Sequence, residues 1–203
     1  IYNQVPLIPT QAFRDFFAAK VENFLSRKDK YTGGVYYDLV HPFHNTSATV
    51  YGSFVDAFGR KIPYQLTTIG LRECLMRTIK ICRKYGMHAV YHGHIMYNPA
   101  AMGLGDFWYP GEHLNNKLAN NKFYYTDEMT QEDYDVNYSS SKKGVGIINL
   151  PVIARTHKKY NGKIGKKATL AMLGRMTLND VITSATQCYQ PSVDKMWGIK
   201  KKY

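Results

Sequence analysis

The chain has 203 residues, and its 27 lysine and arginine residues outnumber 15 aspartate and glutamate residues, which gives a formal net charge of +12. Hydrophobic residues make up 44% of the chain and aromatic residues 14%, enough apolar material for one core and too much for a disordered chain. No apolar run approaches the roughly 20 residues of a membrane span, so no transmembrane helix is expected. The positive charge is compatible with nucleic-acid binding and equally with a solvated basic face.

The first half of the chain predicts helices and strands in alternation. Residues 10–28 predict an amphipathic helix, because large apolar residues recur there at helical spacing: Phe13, Phe16, Phe17, Val21, Phe24 and Leu25. Residues 35–39 form a short β-rich run that contains Asp38, and residues 41–67 predict a long, packed, irregular stretch. A second helix over residues 68–85, ended by Gly86, precedes a second strand over residues 87–91.

The second half continues the alternation. A helical turn is predicted over residues 99–104, a third strand over 106–109, a capped helix over 130–138, a fourth strand over 144–150, and helical pieces over 166–176 and 178–189. This order predicts an α/β fold with four parallel β/α units, which is half of a TIM-like barrel or a small open sheet. We expect residues 1–203 to form a single α/β region that is a fragment of a larger barrel domain.

Polar residues follow each predicted strand, at the end where parallel α/β folds build their sites. Asp38 follows the first strand, His92 and His94 the second, Glu112 and His113 the third, and Asn149 ends the fourth. Asp38 and Glu112 are the catalytic candidates, because two carboxylates across a cleft can divide acid and base work. The structural alternative is that Asp38 caps a turn and Glu112 pairs with a surface base.

Further residues near the same strand ends are candidates for substrate binding. The histidines could hold a metal with Asp38, bond to a substrate or serve ordinary structural roles; we assign no metal site and expect no cofactor. Aromatic side chains suit flat ligand faces, although core packing is the alternative. The arginine in the first turn of the second helix could reach a carboxylate. The predicted substrate-binding residues are Tyr37, Arg72, His92, His94, Trp108 and His113.

The basic charge is concentrated in one segment. From Lys142 to Arg175 there are nine lysine and arginine residues and no acidic residue. Such a stretch can bind nucleic acid or another polyanion, and the alternative is an exposed loop and helix face. The candidate polyanion-binding residues are Lys142, Lys143, Lys158, Lys159, Lys163, Lys166 and Lys167.

The order of several short motifs resembles one protein family over residues 10–190. These motifs are residues 34–39, Gly52, residues 56–60, residues 71–73 with Arg77, residues 92–94, Asp106 and residues 111–114. They resemble the C-terminal half of the barrel in glycoside-hydrolase-like (β/α)8 proteins related to bacterial β-N-acetylgalactosaminidases. The resemblance implies a carbohydrate-facing rim with Asp38 and Glu112 at the matching strand ends and Arg72, His92 and His94 beside them.

The resemblance also has consequences for partners and chemistry. It implies an extracellular or periplasmic protein whose missing barrel half comes from the same polypeptide or from another chain. The galactosaminidases use an adjacent Asp-Glu pair with help from the substrate's acetamido group, whereas Asp127 and Glu128 here lie in a predicted loop before a helix.

Four functional hypotheses follow from the sequence, and the last of them is a metal-dependent hydrolase. The first is a carbohydrate-active protein that hydrolyses a glycosidic bond, with Glu112 as proton donor and Asp38 as base, nucleophile or orienting group. The second is a non-catalytic binding or assembly protein. The third is an RNA- or polyanion-binding protein that uses the basic segment over residues 142–175.

Overall fold

The protein is known from a computed structural model, which describes residues 10–27, 33–38, 40, 53–55, 57–63, 68–93, 99–139, 144–151, 164–185 and 187–200. The chain divides into two compact units. The first unit comprises Ile1–Tyr91 and Met96–Asp106, and the second comprises His92–Ile95 and Phe107–Tyr203. None of the helices in the described ranges is both long and apolar enough to cross a lipid bilayer.

The first unit combines helices with a parallel strand pair. Its elements are α1 (Gln11–Leu25), β1 (Gly34–Tyr37), β2 (Ser53–Val55), β3 (Lys61–Pro63), α2 (Thr68–Lys84), β4 (His88–Tyr91) and α3 (Pro99–Met102). Strands β1 and β4 are parallel, with Gly34 opposite His88 and Tyr37 opposite Tyr91, whereas β2 and β3 form a separate antiparallel pair. Asp106 is bonded to β4 at Ala89: its side chain accepts from the Ala89 N–H at 2.8 Å, and its own N–H donates to the Ala89 carbonyl at 2.9 Å.

The core of the first unit lies between α2, α1 and the parallel strands. The buried side of α2 repeats at helical spacing, as in an amphipathic helix, and includes Leu71, Leu75, Thr78, Ile79 and Cys82. Helix α1 packs on α2 and the two are joined by ion pairs: Arg14 with Glu73 at 2.9 Å, and Asp15 with Arg77 at 2.5 Å. The prediction of one apolar face on α1 was too broad, since Phe16 and Phe24 are exposed.

The second unit contains three parallel strands and most of the helices. Its elements are β5 (Phe107–Trp108), a 3-10 turn (Glu112–Leu114), α4 (Asn115–Asn120), α5 (Tyr124–Asp127), α6 (Gln131–Tyr138), β6 (Gly146–Asn149), α7 (Gly165–Leu178), β7 (Ile182–Thr183) and α8 (Gln190–Lys200). Strand β6 pairs in parallel with β5 on one side and with β7 on the other. Thr130 and Asp133 form the capping box that starts α6, as the sequence predicts.

The α/β prediction is confirmed: each unit has parallel strands connected through helices. The four predicted strands are present, whereas the half-barrel arrangement stays a prediction. The predicted helix over residues 178–189 is wrong, because α7 ends at Leu178 and strand β7 follows. The stretch predicted as irregular over residues 41–67 contains β2 and β3 in its described part.

Candidate functional site

A carboxylate and a buried imidazole meet in the second unit. Glu112 Oε2 lies 3.3 Å from His92 Nε2. The His92 side chain is 4% exposed and that of Glu112 is 37% exposed, so the imidazole backs a carboxyl group that solvent or a ligand can reach. A carboxyl group and an imidazole at this separation can share or transfer a proton, which is the arrangement that general acid–base chemistry needs.

The residue that follows His92 packs directly on a tryptophan ring. A Cβ atom placed on Gly93 would lie 1.8 Å from the Trp108 ring, which no side chain can tolerate without displacing the indole. Trp108 is 4% exposed, so its ring is packed among protein atoms and has little room to move. The Tyr109 ring lies 6.0 Å from the His92 ring, centroid to centroid. Glycine at position 93 is therefore what lets the backbone after His92 pack on the indole.

Glu112 begins a turn whose preceding residue, Gly111, packs against the end of β6. Gly111 has a φ of 132°, a region that L side chains rarely adopt. A Cβ atom there would lie 2.3 Å from the Leu150 carbonyl oxygen and 2.9 Å from Asn149 Oδ1. The Leu150 N–H also donates to the Pro110 carbonyl at 2.8 Å. These contacts determine where the backbone presents the Glu112 side chain.

His113, the next residue, joins the same turn to helix α6. His113 Nε2 lies 3.1 Å from Asn137 Oδ1 on α6, and Asn137 Nδ2 donates to the Asp133 carbonyl at 2.7 Å. Leu114 is buried and completes the turn. His113 is thus placed by its neighbours in α6 and supports the turn, so this contact favours a positioning role over its predicted contact with substrate.

A buried network of tyrosines supports the end of β6 beside Gly111. Tyr125 Oη donates to Asn149 Oδ1 at 3.1 Å, and Asn149 Nδ2 donates to Met172 Sδ at 3.6 Å. Tyr134 Oη donates to the Tyr125 carbonyl at 2.8 Å. Burial raises the pKa of Tyr125 to about 12, so its hydroxyl stays protonated and able to donate. Asn149 therefore orders the site from within the core.

In the first unit, the predicted site residues occupy three different environments. Asp38 is exposed and accepts a hydrogen bond from Tyr36 Oη at 3.0 Å. Tyr37 is buried, with its ring 5.2 Å from that of Tyr91, and burial raises the pKa of its hydroxyl. Arg72 is exposed on α2. The burial of Tyr37 favours a packing role, and the pairing of Asp38 with Glu112 stays a prediction.

Several predicted site residues lie outside the described residues: His94, Lys142, Lys143, Lys158, Lys159 and Lys163. Of the predicted polyanion-binding residues, Lys166 and Lys167 are described, and both are exposed in the first turn of α7. Within the described ranges no group of three histidine, cysteine, aspartate or glutamate side chains could hold a metal ion.

Sequence reasoning identified the polar residues of the site and missed what positions them. His92 and Glu112 are the predicted residues that the structure brings together. The sequence assigns no role to Gly93, Gly111 or Asn137. The signal that could have indicated a positioning role is that each of the two glycines is next to a candidate site residue. The structure establishes the parallel α/β fold and the contact between His92 and Glu112, and the family resemblance remains a hypothesis. Comparison of the chain with protein-family models, curated proteins and solved structures gives no match.

Proposed function

We propose that this chain is a carbohydrate-active protein that hydrolyses a glycosidic bond, with Glu112 as the proton donor. The observation that carries the proposal is the contact between the partly exposed Glu112 carboxyl group and the buried His92 imidazole, 3.3 Å apart. The motif order over residues 34–114 supports carbohydrate as the substrate class, through the resemblance described above.

The proposed reaction begins with protonated Glu112 beside the glycosidic oxygen. Its proton passes to that oxygen as the bond to the anomeric carbon breaks, and the leaving group departs as an alcohol. A water molecule supplies the hydroxyl group that bonds to the anomeric carbon. The remaining proton of that water returns to the Glu112 carboxylate and restores the acid. Asp38 is the candidate for the second carboxyl role, as base, nucleophile or orienting group.

The surroundings of Glu112 support this role because they hold the carboxyl group in place. The turn over Glu112–Leu114 is held by Gly111 against the end of β6 and by His113 against α6. His92 is held in turn by the packing of Gly93 on Trp108. A donor fixed in this way loses little conformational freedom when it meets the substrate.

The test is hydrolysis of a panel of chromogenic glycosides by the wild type and by Glu112→Gln. We expect the substitution to lower kcat for nitrophenyl glycosides by about 10²- to 10⁴-fold, the usual contribution of a positioned acid. A more acidic leaving group needs less protonation, so a dinitrophenyl glycoside should lose much less. The matched control is Glu132→Gln, because Glu132 is exposed in the first turn of α6. Unchanged activity in Glu112→Gln, or equal losses in the two variants, would reject the acid role.

A second candidate function, polyanion binding, is favoured by one observation on α7. Lys166 and Lys167 lie in its first turn, where the helix dipole disfavours positive charge. An external anion would offset that cost. The test is RNA binding at increasing salt, for which we expect a steep loss of affinity and a shallower salt dependence in a variant with both lysines changed to glutamine. Absent or salt-insensitive binding would exclude this function.

A further inference from the structure

Helix α1 exposes large aromatic side chains on the face turned away from α2. Phe16 is 58% exposed and Phe24 is 42% exposed, and with Lys20 between them they are spaced four residues apart, so the three side chains form one row along the helix. Lys20 is exposed, and its ammonium group lies 5.3 Å from the centre of the Phe16 ring. A row of exposed apolar side chains, unlike a single one, marks a contact surface.

The charges of α1 are divided between its two sides. The acidic residues of the helix, Asp15 and Glu22, are on the side that meets α2, where both pair with basic residues of that helix. The outward row carries Lys20, and Arg27 is exposed just after the helix ends. The face that presents the aromatic rings therefore carries positive charge and none of the acidic residues of α1, so it is complementary to an anionic partner.

The size and charge of this face favour a lipid surface over another protein. Helix α1 has 15 residues, so the face is about 22 Å long and about 10 Å wide. That area is small beside the roughly 800 Å² that each partner of a stable protein complex buries. A second copy of the chain would also bring its own net charge of +12. A bilayer needs no complementary shape, because it takes up aromatic rings at the boundary between headgroups and acyl chains while lysine and arginine contact anionic headgroups.

Single-stranded RNA is also anionic, but it binds through open ring faces on which its bases stack. Lys20 lies over a face of Phe16, and the Phe13 and Phe17 rings stack on each other with 5.8 Å between their centroids. Insertion into lipid needs exposed apolar surface and no open ring face. We propose that α1 lies flat on membrane surfaces that contain anionic lipid, with Phe16 inserted beside Phe24 and Lys20 at the headgroups. The contact is peripheral, since α1 is shorter than the roughly 20 residues of a membrane span.

The experiment is flotation of the full chain with two kinds of vesicle, phosphatidylcholine alone and equal parts of phosphatidylcholine and phosphatidylglycerol. We expect binding to the mixed vesicles, little binding to the neutral ones, and weaker binding at high salt, because ions screen the attraction to the headgroups. Changing both Phe16 and Phe24 to serine should weaken binding to the mixed vesicles about tenfold or more, because the two rings no longer leave water. Lys20→Gln should weaken it about fivefold, the usual effect of one basic residue near an anionic surface.

Each variant has a matched control elsewhere on the surface. Phe58→Ser removes an 83% exposed ring from the turn between β2 and β3, and Lys122→Gln removes one exposed positive charge from the second unit, so both should bind the mixed vesicles much as the wild type does. Circular dichroism checks that every variant is folded. The proposal is overturned if the wild type does not bind the mixed vesicles, if the double serine variant binds them as tightly, or if the controls lose as much as the α1 variants.

Two other occupants of this face would give different results. Binding of an oligouridine that is lost in the double serine variant, without binding to vesicles, would overturn the proposal and assign the face to RNA. Self-association in sedimentation experiments that is lost in the same variant, again without binding to vesicles, would overturn it in favour of a second copy of the chain.

Discussion

Replacing Gly111 with alanine is expected to lower the free energy of unfolding by about 3 kcal/mol, from two separate causes. The first is backbone strain, since a φ of 132° suits glycine and costs other residues about 1–3 kcal/mol. The second is the contact at 2.3 Å between the new Cβ atom and the Leu150 carbonyl oxygen, an overlap with backbone of the kind that costs about 1–3 kcal/mol.

Gly144→Ala is the matched control for this prediction. Gly144 also has a positive φ, 66°, but nothing in the described part of the chain lies within 4 Å of a Cβ atom there. It should therefore cost about 1 kcal/mol, from strain alone. Urea unfolding followed by circular dichroism measures both values. If Gly111→Ala is no less stable than Gly144→Ala, the close approach of Gly111 to the end of β6 is not what holds this turn.

The same substitution should reduce the proposed glycosidase activity in folded protein, because Glu112 directly follows Gly111. An alanine that pushes the backbone away from Leu150 moves the carboxyl group relative to His92. Under conditions where Gly111→Ala is fully folded, we expect kcat to fall while Gly144→Ala keeps wild-type activity. Equal activities would show that the position of the turn does not control the site.

Three further predictions concern the core and the surface. Tyr125→Phe should cost about 1–3 kcal/mol in urea unfolding, because Asn149 Oδ1 loses the bond from Tyr125; a loss below 0.5 kcal/mol would contradict this. Burial raises the pKa of Cys188 from 9.0 to about 12. The free energy of unfolding should therefore be unaffected by ionisation of Cys188 below pH 9 and should fall as pH rises toward 12, because the thiol loses its proton first in the unfolded chain. Iodoacetamide should label Cys188 only on unfolding, and rapid labelling of Cys188 in folded protein at about pH 8 would contradict its burial. Arg77→Ala removes an exposed ion pair with Asp15 and should cost less than about 1 kcal/mol; a larger loss would mean that the pair is shielded from solvent.

The main strands and helices could be predicted because their signals are local. Apolar spacing in α2 and the β-rich runs of β1 and β6 depend on neighbouring residues, and the structure confirms them. Strand β7 has two residues, too few to show a period, and its pairing with β6 joins residues more than 30 positions apart in sequence. Its residues were therefore included in the separate helical piece predicted over residues 178–189.

The site could be predicted only in part, for the same physical reason. His92 and Glu112 were found because polar residues after a strand mark the functional edge of a parallel sheet. The roles of Gly93 and Gly111 depend on distant atoms, the Trp108 ring and the Leu150 carbonyl, that lie close to them only after folding. Periodicity also misjudged α1, because spacing shows which residues share a face and not how far the neighbouring elements cover it.

The two tryptophans of the chain occupy contrasting surroundings, and this gives the protein two built-in optical reporters. Trp108 is 4% exposed and packs against Gly93, so its emission should be blue-shifted and should respond to displacement of the backbone beside His92. Trp197 is half exposed on α8, so its emission should lie further to the red and should respond to changes around that helix. Fluorescence from single-tryptophan variants can thus record events at the two places separately, without an added label.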